Sequence, residues 1–249
     1  LGCRVNRVEL DMMAEALEDL GCVMCEETEA SAVVVNTCAV TGEAQAKARK
    51  AVRRAALMPQ VPLVVATGCV ASLFADELSD IAPNVVVVTD KLQVARVVSE
   101  GLGVESGSCG EMGVPLAPPT PTGRTRPGVM IQDGCDNRCT YCIVWKARGH
   151  SRSVEPDAVL ADVRAALGRG AREVVLTGIN LGCYRSTGPS GELRLAGLLD
   201  RILDETDVGR VRISSIEPPD VTADLLRVMA ASEGRVAPFL HVCLQSGCD

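Results

Sequence analysis

The sequence predicts an α/β protein: an N-terminal parallel-sheet domain over residues 1–100, a linker over 101–127, and an incomplete (β/α) barrel over 128–249. Three observations carry this. Short β-branched runs alternate with amphipathic stretches at about 30-residue spacing, a β-α-β-α order that calls for a parallel sheet with right-handed crossovers. A stretch rich in Gly, Pro, Ser and Thr interrupts the alternation. The alternation then resumes to the last residues.

Taken in order, "SAVVVNT", "VPLVVATG" and "NVVVVTD" read as buried parallel strands, because their apolar residues are continuous rather than alternating. Helical patterns surround them at 7–20, 43–57, 72–79 and 91–99. After "GLGVESGSCGEMGVPLAPPTPTGRTRPG", the linker text, come strand "GVMIQD", helix 155–168, strand "REVVLTG", helix 193–204, strand "RVRISSI", helix 221–231 and strand "PFLHVCL". Four βα-type units fit part of a barrel or an open α/β sheet. The sequence opens inside a motif, "LGCRVN", without a Met, and closes on "QSGCD" directly after a strand, so a piece of a longer chain is expected.

Composition excludes several classes. The chain has 249 residues, 47% of them hydrophobic, enough for one large or two modest cores. No apolar run approaches the roughly 18 residues of a membrane span. Twelve cysteines without a secretory leader indicate thiols kept reduced for metal or redox chemistry, which places the protein in the cytoplasm. A net charge of −7 argues against a uniformly nucleic-acid-binding surface but leaves room for a local basic patch.

The chemistry concentrates in "IQDGCDNRCTYCIVWKARG", where Cys135, Cys139 and Cys142 stand in C-x3-C-x2-C spacing after strand "GVMIQD". The C-terminal end of a strand is where α/β barrels place their reacting groups. Three thiolates in one short loop can hold three irons of a cubane cluster, leaving the fourth iron open to a substrate. The alternatives are a zinc site, for which His150 is the nearest further ligand, or unrelated buried thiols. In the first domain Cys3, Cys38 and Cys69 are separated by 35 and 31 residues, about one βα repeat each. Neighbouring parallel strands would deliver all three to one carboxyl edge, where a second three-thiolate cluster could form. Three ordinary buried cysteines are the alternative.

With Tyr141 just before its third cysteine, the C-x3-C-x2-C loop resembles the radical S-adenosylmethionine (SAM) signature. An α/β domain carrying "LGC", "NTC" and "TGC" ahead of such a barrel is similar to the radical SAM methylthiotransferases, and the likeness spans nearly the whole chain. "LGCRVNRVE", "NTCAVTGEAQAKARKAVRRA", "EVVLTGINLGCY" and "RVRISSIEP" look most like the MtaB type of that family. The resemblance implies two 4Fe-4S clusters and SAM as cofactors, with Cys135, Cys139 and Cys142 at the catalytic cluster and Cys3, Cys38 and Cys69 at an auxiliary one. It implies insertion of a methylthio group at C2 of N6-threonylcarbamoyladenosine-37, beside the tRNA anticodon. One SAM would donate the methyl group to a sulfur at the auxiliary cluster, and a second would be cleaved to a 5'-deoxyadenosyl radical that activates the inert C2–H. An electron donor such as flavodoxin or ferredoxin is implied, as is an RNA-binding domain beyond the residues present. Related activities on isopentenyladenosine-37 of tRNA or on a ribosomal-protein aspartate remain alternatives, as does, from another class, an iron–sulfur scaffold without turnover.

Further residues follow. Thr177, Gly178 and Asn180, after the second barrel strand, are SAM-side by resemblance; the alternative is a plain turn. Ser214, Ser215 and Glu217 end the third strand of that domain and suit cofactor or substrate contact. Lys47, Lys50, Arg53 and Arg54 lie on a helix whose other face is small and apolar, and are the candidate RNA phosphate contacts, against a plain solvated face. Arg148 could meet SAM or substrate, or neutralise cluster charge. Trp145, followed by Lys146, stands where relatives carry Pro after the third cysteine's aliphatic pair, and Cys243 and Cys248 replace Pro and Ser of the family's last strand motif. Cys22 and Cys25 form an unpartnered C-x2-C, and Cys109 and Cys183 have no assigned role.

Overall fold

The computed structural model describes residues 2–104, 125–188 and 191–247. They form two compact units, residues 2–104 with 138–148, and residues 125–137 with 149–247. Most of the expected linker, with Cys109 and Cys248, lies outside the described residues.

In the first unit, β1 (Ala32–Thr37), β2 (Leu63–Gly68) and β3 (Val85–Val87) form a parallel sheet in that order. The run of apolar residues in β2 is explained by burial on both faces. Val64 and Ala66 pack in the cluster containing Val52, Ala55 and Val70, whereas Val65 packs with Met13, Leu17 and Val98. The helices are α1 (Arg4–Asp19), α2 (Gly42–Ala56), α3 (Cys69–Leu73), α4 (Ala75–Ser79) and α5 (Val94–Leu102), with α6 (Val144–Arg148) from the cysteine loop. Thr41 caps α2 by accepting from the Ala44 amide at 3.1 Å, a contact worth about 1 kcal/mol. Ala48, Val52 and Ala55 form its buried stripe. The helix expected at 72–79 is broken at Phe74, whose backbone (φ −139°, ψ 49°) separates α3 from α4. That expected at 91–99 starts as a 3-10 turn, Lys91–Gln93, and α5 runs on to Leu102, ending at Gly103 with φ +65°.

The second unit contains β4 (Gly128–Met130), β5 (Gln132–Asp133), β6 (Arg152–Ser153), α7 (Pro156–Gly168), β7 (Glu173–Thr177), β8 (Arg185–Gly188), β9 (Gly191–Arg194), α8 (Leu195–Glu205), β10 (Arg210–Ile213), β11 (Ser215–Ile216), α9 (Ala223–Ala231) and β12 (His241–Val242). β10, β7 and β4 form its parallel sheet, with Leu176, Leu198, Ile202 and Ile213 fully or almost fully buried in its core. Two expected strands are each split. In "GVMIQD" the Ile131 amide donates to Thr177 while its carbonyl accepts from Val154, and the chain then turns to pair β5 antiparallel with β6. In "RVRISSI" the break falls at Ser214, after which β11 pairs with β12. The β8–β9 hairpin was not expected from the sequence.

Candidate metal centres

Parallel register brings two first-unit cysteines to one edge. Thr37 of β1 lies opposite Gly68 of β2, so Cys38 and Cys69 directly follow the ends of two paired strands. The Thr37 hydroxyl fastens this corner: it donates to the Thr67 carbonyl at 2.6 Å and accepts from the Val70 and Ala71 amides at 3.1 and 3.2 Å. Gly68, at φ +89°, passes so close to Asn36 and the Thr37 backbone that any Cβ would collide with them. Cys3 joins from the start of α1, its thiol donating to Asn6 Oδ1 at 3.1 Å. Gly2 sits against the Cys38 side chain with no room for a Cβ, which explains the glycine of "LGC".

The electrostatics of this edge are uneven. The hydrogen bond with Cys38 pulls the Cys3 thiol down to about 6, and the same contact pushes Cys38 up. Burial raises Cys69, and the Arg148 guanidinium, close enough to hydrogen-bond its sulfur, works in the opposite direction. Arg148 is buried, with its side chain 1% exposed. Its Nη1 donates to Glu9 Oε1 at 2.7 Å, and its Nη2 donates to Asn6 Oδ1 at 3.0 Å and Glu9 Oε2 at 3.2 Å. Lys91 Nζ donates to Glu9 Oε1 at 2.6 Å, and Asn6 Nδ2 donates to Asn36 Oδ1 and the Thr37 carbonyl. Arg148 thus braces the surroundings of Cys3 and Cys69.

The C-x3-C-x2-C loop is divided between the units after Asn137. On the first-unit side the Cys142 amide donates to the Cys139 carbonyl at 3.1 Å, a tight turn. Ile143 and Ala147 pack against the cluster that contains Cys69 and Val70. Trp145 lies between Arg138 and Lys146, whose charges stand 5.6 and 5.2 Å from the ring, and Tyr141 is exposed. On the second-unit side the Cys135 amide donates to the Gly149 carbonyl at 3.0 Å. Gly134, at φ +74°, abuts the His150 carbonyl with no space for a side chain.

One residue that sequence reasoning left without a role organises the second-unit side. Gln132 is fully buried. Its Nε2 donates to the carbonyls of Asp133 and Gly134 and to Ser151 Oγ, and its Oε1 accepts from the Ile179 and Asn180 amides at 2.9 and 2.8 Å. It thus ties the loop bearing Cys135 to the loop after β7. There the Thr177 hydroxyl bonds the Val175 carbonyl, Gly178 sits against Gln132, and Asn180 Oδ1 accepts from the Gly182 amide. These three residues build the turn. Glu217 accepts from Asn137 Nδ2 at 3.1 Å, linking the same loop to the end of the β10–β11 segment, while Ser215 pairs with His241. Ser214 Oγ is buried without a hydrogen-bond partner among the described residues. Burial raises the Cys183 thiol, with Asp220 and Cys135 adding to the effect.

The basic helix is largely paired. Lys47 bridges Glu43 at 2.7 Å and Arg54 grips Glu27 through both carboxylate oxygens, whereas Lys50 and Arg53 have no ion pair among the described residues. Lys47, Lys50 and Arg54 line a groove of about 380 Å³ beside Val33, Val34 and Val35 of β1. Arg53 is exposed but does not line it.

Comparison with known proteins matches two family models: residues 1–90 fit Uncharacterized protein family UPF0004, and residues 129–247 fit the Radical SAM superfamily. Over its whole length the chain is similar to radical SAM methylthiotransferases. Relatives include the threonylcarbamoyladenosine tRNA methylthiotransferase MtaB of Chlamydia pneumoniae, 33% identical over 251 residues, which cover all of this chain and 57% of that protein. The ribosomal protein uS12 methylthiotransferase RimO of Desulforudis audaxviator is 33% identical over 260 residues, again 57% of its length. The chain therefore spans a little over half the length of these relatives. Among solved structures, the radical SAM methyltransferase TsrM of Kitasatospora setae, with cobalamin and a [4Fe-4S] cluster bound, superposes at a TM-score of 0.56. That match has 18% identity and covers 90% of this chain and 56% of that one, a likeness of fold.

The three first-unit thiols are donors of the type an iron–sulfur cluster takes. Among the described residues no three Cys, His, Asp or Glu side chains are grouped so as to hold a metal ion. A cubane gives each thiolate its own iron, so the thiols need an edge in common rather than one point. Cys3, Cys38 and Cys69 meet that need with a buried cation beside them to offset thiolate charge.

Proposed function

We propose that the full-length protein is a tRNA methylthiotransferase of the MtaB type, inserting a methylthio group at C2 of threonylcarbamoyladenosine-37 in the anticodon stem-loop. The observation that carries this reading is the auxiliary edge: Cys38 and Cys69 in strand register, with Cys3 hydrogen-bonded to Cys38, in a chain that also holds the C-x3-C-x2-C loop. Cys3, Cys38 and Cys69 would hold one 4Fe-4S cluster, and Cys135, Cys139 and Cys142 the other. When bound, the clusters and SAM supply methyl transfer to sulfur and a radical able to activate an unreactive aromatic C–H.

The chain's own residues do the positioning. Gln132 and Asn137 set the loop that carries Cys135 against the ends of β7 and β11, where the backbone around Gly178, with Thr177, Asn180, Ser215 and Glu217, would receive SAM; Tyr141, beside Cys142 in the sequence, is a further SAM-side candidate. Lys50 and Arg53, the two cations of α2 without an ion pair among the described residues, are the better candidates for RNA phosphate; Lys47 and Arg54 would first have to release Glu43 and Glu27. A flavodoxin- or ferredoxin-like protein would deliver electrons, in the cytoplasm. Among the described residues no helix is long and apolar enough to cross a membrane.

A ribosomal-protein target is the second reading, favoured by the equal identity of the RimO relative. Expressing the complete gene in a host without tRNA methylthiotransferases, with mass spectrometry of tRNA nucleosides and of ribosomal protein uS12, separates the two. The expected result is a methylthio gain on threonylcarbamoyladenosine alone. A gain on isopentenyladenosine or on uS12 instead would overturn the substrate while keeping the reaction.

A further inference from the structure

The first unit contains a buried charge network that the reaction chemistry does not require. Arg148 and Glu9 are 1% and 6% exposed, and Lys91, at 22%, completes a cation–anion–cation group. Removing water from such charges costs several kcal/mol per ion, so a chain that keeps them gains nothing over apolar packing in stability alone. Their placement says what they serve. Arg148 ends α6, six residues after Cys142, and α6 packs on α3, whose first residue is Cys69. Asn6, which accepts from Arg148, also accepts from the Cys3 thiol. One guanidinium therefore stands next to two auxiliary cysteines while holding the segment that carries two catalytic-loop cysteines.

We propose that Arg148 is a positioning residue shared by both cysteine sets. It locks residues 138–148, with Cys139 and Cys142, onto the Cys3–Cys69 edge, and it sets the charge felt by the auxiliary cluster. The proposal rests on the assignment of that cluster to Cys3, Cys38 and Cys69. An iron–sulfur potential responds to net charge and to hydrogen bonds at its sulfurs, so the two ends of the pair act with opposite sign. Removing the cation disfavours reduction, because the added electron loses a compensating charge. Removing the Glu9 anion favours it. A purely structural brace would give no such sign reversal.

The test uses full-length protein carrying Cys135→Ala, Cys139→Ala and Cys142→Ala, so that the auxiliary cluster alone remains, reconstituted without oxygen and titrated by EPR-monitored reduction. Arg148→Gln is expected to move the midpoint to more negative potential and Glu9→Gln to more positive potential, with Arg148→Lys nearer the parent than Arg148→Gln. Hydrogen exchange on otherwise unaltered, cluster-free protein reads the locking: amides of 138–148 should exchange several-fold faster in both Arg148→Gln and Arg148→Lys, because lysine cannot reproduce the fork to Glu9 and Asn6. Should Arg148→Gln fail to fold, Glu9→Gln and Arg148→Lys still give the sign and the exchange. Midpoints that stay fixed or move in the same direction, or unchanged exchange, would overturn the proposal. Absence of iron from the triple-alanine parent would instead overturn the cluster assignment.

Discussion

The two cysteine sets are positioned by opposite means. Cys38 and Cys69 are 3% exposed and owe their placement to strand register and to glycines without room for a Cβ. Cys135, Cys139 and Cys142 are half-buried on a loop, held by one backbone turn, by Gln132 and by packing of the segment that follows. Residues far apart in sequence need a sheet to bring them together; residues seven apart need only a loop that is kept from wandering. The first set should therefore tolerate local change poorly, and the second should depend on a few side-chain ties.

The largest expected contrast comes from the cysteines themselves. Cys139→Ala should abolish SAM cleavage under reduction, whereas Cys69→Ala should abolish methylthio product while 5'-deoxyadenosine still forms; chromatography of both products decides it. Loss of cleavage in Cys69→Ala would mean that the sets do not act separately.

Backbone constraint comes next. Gly134→Ala forces a side chain into the His150 carbonyl at positive φ, and the chain would have to move to relieve it. A stability loss of about 1–3 kcal/mol or more is expected in urea unfolding, together with impaired assembly of the Cys135 site. Gly170→Ala, also at positive φ but with open space around it, should lose less. Equal losses would show that φ alone, not the close approach, governs the loop.

Gln132→Ala should cost about 1–3 kcal/mol, because the half-buried Ile179 amide and the buried Asn180 amide lose their acceptor. Gln132→Glu keeps that acceptor but loses the donors to Asp133, Gly134 and Ser151, and should recover only part of the loss. Denaturant midpoints for the two variants check this, and a full recovery would place the donors outside the account.

The smallest effect concerns Tyr184, which is fully buried with its hydroxyl donating to the Val154 carbonyl at 2.9 Å. Burial raises its pKa above that of the unfolded chain. Its contribution to stability is thus complete below about 10 and declines as pH rises further. Tyr184→Phe should cost about 1 kcal/mol at neutral pH and reduce the alkaline decline, as read from unfolding at pH 7 and above 10.

Much of this was legible in order along the chain. "SAVVVNT" and "VPLVVATG" could be read as strands because their continuous apolar residues are buried on two faces, and the spacing of Cys38 and Cys69 then implied a common edge. Composition patterns do not reveal where a strand breaks. Ile131 hands its backbone from Thr177 to Val154, and after Ser214 the chain passes from pairing with β7 to pairing with β12; both depend on strands distant in sequence. The roles of Gln132 and Arg148 were hidden for the same reason: Arg148 meets Glu9 and Asn6 across 139 and 142 residues. The basic face of α2 was visible, but the pairing of Arg54 with Glu27 belongs to the folded chain.

The central claim is that one polypeptide holds two separate three-thiolate clusters. Iron quantification with Mössbauer spectroscopy on the anaerobically reconstituted full-length protein tests it directly. About eight irons per chain are expected, falling to about four when either Cys3, Cys38 and Cys69 or Cys135, Cys139 and Cys142 are replaced by alanine. About four in the unaltered protein, or a count that one of the triple replacements leaves unchanged, would contradict it.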